Sequence, residues 1–329
     1  MDFENAIVRL AVMKSRLPRK EAALMAAREG IEAAGRLMAA SGFAEPAAES
    51  PPPQTDWLDT LDQGALRLRR RFAALAGDAL PRPARALLMR WEIDEIKTAL
   101  RWLASSTRER RARFAFTSFI LDGAGQAAIL AAERSVEGFI AALRAAGSPL
   151  APALDPQRWR DSPVEAEHAL ERHYFEAILP ALRWRLRPYE EYFRSMADLR
   201  DIGFAMAISG GDVPDPGAWF IGAGGLTRRD FLRLAEASRE AFISTLAAIL
   251  RLPPGEALPS RERAPLWLRA RLARRWRLRA IQHPLSLWDF IAFAGEMDVA
   301  RANLAVAVMS AVSGGPSPVE DYLFSAAVS

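Results

Sequence analysis

Few residues in this chain have the types and spacing that chemistry requires. His168 and His173, in "EHALERH", lie five apart, which puts them on different faces of a helix, unlike an i, i+4 metal pair. They read as part of a solvated helix face, and His283, before Pro284, as a turn residue. There is no cysteine, so thiolate metal sites and disulfides are both excluded. Glu190-Glu191 in "RPYEEYF" could act as an acid/base pair, but the surrounding arginines point to a salt-bridged surface. No G-x-x-x-x-G-K-[ST] loop exists, and "GAGQ" (123–126) and "GAGG" (222–225) lack the strand-turn-helix setting of a dinucleotide site. They read as turns or helix ends. No residue set nominates a catalytic, cofactor or metal site.

Basic runs remain: "RLRRRF" (67–72), "RERRARF" (108–114) and "RARLARRWRLRA" (269–280). Forty-four Lys and Arg against 40 Asp and Glu leave a net charge of only +4, and the only lysines are Lys14, Lys20 and Lys97. Phosphate binding needs clustered charge rather than excess. The arginines read first as a composition bias, and the last run as a helix exposing arginine while Trp276 turns inward. A basic helical nucleic-acid binder stays open as an alternative.

The surrounding chain is helical in pattern. Alternating strand patterns are scarce, while "KEAALMAAREGIEAAGRLMAA", "GQAAILAAERSVEGFIAALRAAG" and "RRDFLRLAEASREAFISTLAAIL" are rich in good helix formers. The chain of 329 residues, half of them hydrophobic, can bury a substantial core. No signal peptide is visible at the amino terminus. The longest late apolar run, "LAVAVMSAV", is about half of the roughly 20 residues a bilayer crossing needs.

Markers recur along the chain. Gly30, Ser135 and Ser238 each precede an apolar helical run as a potential N-cap, with Glu32, Glu137 and Glu240 in its first turn. A large apolar residue follows in register: Met38, Leu143 and Leu246. The steps, 30 to 135 to 238, are 105 and 103 residues. A second set aligns Ile93-Ile96-Leu100, Leu199-Ile202-Met206 and Val299-Ala302-Val306, each preceded by an acid: Glu92, Asp198 and Asp298. Proline-rich stretches, read as loops, recur at a similar interval in "EPAAESPPPQ", "SPLAPALDPQRWRDSP" and "LPPGEALPSRERAP". Such a period is too long for a solenoid of helical pairs. It predicts an all-α fold of three tandem pseudo-equivalent multi-helix repeats, approximately 1–106, 107–210 and 211–329, within one domain spanning 1–329.

Several segments resemble a family. "AIVRLAVMKSRLPRKEAALMAAREG" is similar to the opening of the C-type subunits of V/A-type ATPases, the counterparts of the d-type subunits of eukaryotic V-ATPases, with their "K-S-x-L" turn. "RWEIDEIKTALR" resembles that family's "N-L-K-T-x-L-R" helix, and "EHALERHYFEAIL" its "E-x-x-L-D-R-x-Y-F" segment, with Glu171 in place of aspartate. "HPLSLWDFIAFAGEMDVARANL" resembles the closing "K-E-x-E-I-x-N-L" helix, with Glu296 and Asp298 at its acidic positions. Glu95, Asp201 and Arg301 stand where the family carries asparagine, and Gly295 where it carries lysine.

The resemblance implies a funnel-shaped helical body without cofactors. It implies a non-catalytic central-stalk component on the cytoplasmic face of the membrane, a socket between the rotor shaft (D/F type subunits) and the proteolipid c ring, one copy per complex. The repeat-core positions would be Glu92, Ile93, Ile96, Asp198, Leu199, Ile202, Glu296, Asp298 and Val299. Arg108, Arg110 and Arg111 are expected to face a partner. A divergent helical adaptor for a different partner is the other reading that the substituted asparagines motivate.

Overall fold

Helix starts follow local chemistry. Ser135 and Asp122 cap their helices by accepting from Gly138 N at 3.0 Å and Gly125 N at 2.7 Å, and Asp155 does so from Gln157 N at 2.9 Å. Proline then serves as a helix initiator: Pro156, Pro163 and Pro265 all stand in first turns, where the missing N–H costs nothing. The stretch at 148–163, expected as a loop, is therefore a 3-10 turn over Ala151–Ala153 and the short helix Pro156–Asp161. "EPAAESPPPQ" lies outside the described residues.

The computed structural model describes residues 3–44, 57–79, 83–105, 116–132, 134–181, 187–211, 213–252, 258–313 and 323–324. All regular structure among them is helical, and it divides into two compact units, residues 1–81 with 239–329, and residues 82–238.

The first unit contains α1 (Phe3–Ser15), α2 (Lys20–Glu29), α3 (Ile31–Ala40) and α4 (Trp57–Ala79). The last helices of the chain complete it. The helix Leu287–Ser313 is its axis, buried on most sides through Phe290, Ile291, Phe293, Leu304 and Ala307. Phe72 stacks on Phe293 at 5.7 Å and meets Phe290 edge-on at 5.5 Å. Each such side chain contributes roughly 1.5–3 kcal/mol on full burial. Ala23 and Ala27 of α2 close against Ala307 and Leu323. Two glycines permit close approach. A Cβ on Gly295 would lie 2.8 Å from the Trp276 indole, and one on Gly64 would run into the Phe43 backbone.

The second unit contains α5 (Pro83–Ala104), α6 (Gly123–Ala131), α7 (Val136–Ala145), α8 (Pro156–Asp161), α9 (Pro163–His173), α10 (Glu190–Ile208) and α11 (Arg228–Ala235). The chain then returns to the first unit as α12 (Phe242–Leu250), α13 (Ala264–Gln282) and α14 (Leu287–Ser313). Helix α5 is enclosed on nearly every side, with Ile93, Ile96 and Leu100 fully buried. Past α9 the helix widens into a π turn over Tyr174–Ile178, and the buried Tyr174 hydroxyl donates to Ala86 O on α5 at 2.8 Å.

The marker residues Met38, Leu143 and Leu246 are all fully buried. Gly30 and Ser135 stand at the N-caps of α3 and α7. Ser238 does not: α12 is capped by Ala241, whose carbonyl accepts from Thr245 N at 3.0 Å. Residues 239–241 form a turn there, so the helix starts later than its glutamate suggests.

Candidate functional site

Helix α5 carries Arg90, Asp94, Lys97 and Arg101 at steps of four, three and four, which align them on one face. Opposite them α9 presents Glu167 and Glu171 one turn apart. Glu171, with no exposed surface, receives Lys97 Nζ at 2.5 Å, Arg90 Nη2 at 3.1 Å and, from α10, Arg200 Nε at 3.3 Å. Asp94 bridges the same two arginines, at 2.9 Å to Arg90 and 3.4 Å to Arg200. Arg101 clamps Glu167 through Nε and Nη2, both at 2.6 Å. Burial works against the Arg90 charge, but Asp94 and Glu171 outweigh it and hold its pKa above the usual arginine value. The two family-like segments "RWEIDEIKTALR" and "EHALERHYF" are thus two halves of one charge lock.

A second arrangement involves carboxylates that catch distant backbone. Fully buried Glu92 accepts from Ser118 Oγ at 2.7 Å and Phe119 N at 2.6 Å. Asp198 accepts from Gly225 N at 2.8 Å and Leu226 N at 2.7 Å. The backbone donors Phe119 and Gly225 lie 27 residues downstream in both cases (92 to 119, 198 to 225). Asp201 adds a further clasp, accepting from Ile221 N at 2.8 Å and Gly222 N at 3.2 Å. "GAGG" is therefore the strap held by α10. Gly222 adopts φ +73, and a Cβ on Gly224 would overlap the Asp198 carboxylate. Burial pushes Glu92 and Asp201 each up to about 7, against the pull of their N–H donors. Asp198 is raised for the same reason.

In the first unit, Glu296 on α14 bonds Lys14 of the "K-S-x-L" turn at 2.9 Å, with Arg277 at 3.8 Å. Asp298 pairs with Arg69 at 3.3 Å, and Val299 is buried. Arg301, in the asparagine position of the third stripe, bonds Asp62 of α4. Asn303 holds Phe324 by exchanging both backbone bonds, at 2.8 and 3.1 Å. Of the other expected positions, Ile202 is buried and Leu199 half-buried. Arg108, Arg110 and Arg111 lie outside the described residues.

His168 is not on a solvated face. It is buried against Phe204 and Trp219, ring centroids at 4.9 and 5.3 Å, and burial lowers its pKa. His173 meets Pro149 O at 3.0 Å. Trp276 is buried while Arg269, Arg271, Arg274 and Arg275 are exposed. The charge lock left a trace in the sequence, the stripe 90-94-97-101; Asp201 and the "GAGG" turn were each visible there, but nothing in the sequence paired them.

The model of the family described as ATP synthase (C/AC39) subunit matches residues 5–295. The chain belongs to that family. The C/AC39 subunits are non-catalytic subunits of the V/A-type rotary ATPases, ion-transporting motors. None of the curated proteins matches the chain. Among the described residues of this C/AC39 subunit, no helix is long and apolar enough to cross a membrane.

Proposed function

We propose that the protein is the central-stalk socket of its rotary ATPase, coupling the shaft (D/F type subunits) to the proteolipid c ring at the cytoplasmic face, with one copy per complex. One observation carries the reading. The charged residues of the family-like motifs are spent on holding helices and straps together within this chain. Glu92, Glu171, Asp198 and Glu296 each face cations or backbone donors of the same unit. Such paired charges stiffen a body that must transmit torque. The matched 27-residue clasps of Glu92 and Asp198 support equivalence of the first two of the three repeats (1–106, 107–210, 211–329) expected in a single funnel-like domain, while Asp298 in the third pairs with the Arg69 side chain.

Co-expression with the shaft subunits of the same ATPase is expected to yield a one-to-one complex that survives gel filtration. Separate elution at low and at high salt would count against the socket. Replacing Arg108, Arg110 and Arg111 with glutamate should weaken that complex in a pull-down, because reversed charges on a partner-facing surface lower association rate and register. Unchanged affinity would remove those three residues from the interface.

A further inference from the structure

A cavity of about 530 Å³ opens in the first unit beside the α1–α2 turn, α13 and α14. Its charged lining consists of Lys14, Arg19, Lys20 and Arg277 with Glu21 and Glu296, four cations to two acids. Glu296 is shared, serving Lys14 at 2.9 Å and Arg277 at 3.8 Å. The side chains of Arg19 and Lys20 have no hydrogen-bond or ion-pair partner among the described residues, the Arg19 carbonyl being used only by Ala23 N at 3.1 Å. The neutral amide at the wall, Asn303, is already used on both its oxygen and its nitrogen by Phe324. The lining therefore carries a net charge of +2, with N–H donors to spare on Arg19 and Lys20 beside the Glu21 carboxylate. A concave surface with a net positive lining, here four cations to two acids, concentrates anions, and the volume falls within the roughly 300–1,000 Å³ of small-molecule sites. Guanidinium and ammonium groups side by side suit phosphate oxygens, the first by a bidentate fork and the second as a point charge.

We propose that this cavity binds a phosphate-bearing small anion, gripped by Arg19 and Lys20 with Arg277 behind them. The phosphate can belong to a soluble compound or to a phosphorylated lipid headgroup. Torque transmission does not require such a site, so the site goes beyond the socket role.

Two probes distinguish the sources: inorganic pyrophosphate, followed by calorimetry at constant ionic strength, and phosphatidylcholine vesicles carrying phosphatidylinositol 4-phosphate, followed by flotation. The full chain is compared with Arg19→Ala/Lys20→Ala, and with Arg229→Ala/Arg239→Ala, which removes the same charge from exposed positions outside the cavity. Thermal unfolding without ligand checks that all three are folded. Saturable binding of pyrophosphate, weakened by about tenfold or more in the first variant and retained in the second, is expected if the source is soluble. Vesicle binding with that same variant pattern, and no response to pyrophosphate, assigns the site to a headgroup. Binding in neither arm, or equal loss in both variants, would overturn the site. The isolated chain suffices throughout, so the outcome is independent of assembly into the ATPase.

Discussion

Glu171 lies beneath Arg90, Lys97 and Arg200 with no surface exposed. Removing its charge leaves three cations to share Asp94 and the more distant Glu167 (3.9 Å from Lys97), an under-compensated buried cluster that costs more than the net worth of the lock itself. Glu171→Ala is expected to lower unfolding free energy by about 3–5 kcal/mol in urea titrations. Glu171→Asp, which keeps the charge, should cost less. Glu92 makes a pH prediction of definite sign. Its folded pKa, raised by burial from 4.5 to about 7, means the folded state binds more protons than the unfolded one between those values. Stability from this group is then present at low pH and is lost as pH rises through the window. The advantage of wild type over Glu92→Gln should shrink by roughly 3 kcal/mol between pH 4.5 and 7 and stay level above. A difference that grows with pH would mean the Ser118 and Phe119 donors outweigh burial.

At the scale of elements, helix pairs are set by what glycine leaves out. Gly64→Ala gains roughly 1 kcal/mol of helix propensity, but its methyl meets the Phe43 backbone, which has little room to retreat. Net destabilisation of about 1–3 kcal/mol is expected, read as a lower urea midpoint with an unchanged slope. Gly295→Ala meets the Trp276 ring, which can tilt, and should cost less. The helices themselves were legible because apolar residues recur with helical period from α2 through α14, and Met38, Leu143 and Leu246 are buried as their spacing implied. The clasps were not legible. Glu92 and Asp198 bond to backbone 27 residues away, and no local pattern announces a tertiary hydrogen bond. His168 misled for a related reason: polar neighbours suggested water, but Phe204 and Trp219 arrive from distant segments.

For the whole molecule, the division into units differs in kind. Residues 82–238 form a continuous stretch, whereas the other unit joins 1–81 to 239–329. A fragment of 82–238 is expected to unfold cooperatively by circular dichroism, because α5, α9 and α10 bring the whole charge lock with them. A fragment of 239–329 should not, because Phe290 and Phe293 would lose Phe72 and Ala307 would lose α2. This discontinuity also bears on synthesis. On the ribosome, α1 to α3 emerge long before α14, the helix they close against. At roughly 5–20 residues per second the interval is roughly 15–50 s, during which Ala23 and Ala27 have Leu37 of α3 but not yet Ala307 and Leu323 to pack against. Helices α1 to α3 must wait for α14, with the intervening stretch free to fold first, and holding chaperones would find their opportunity in that delay.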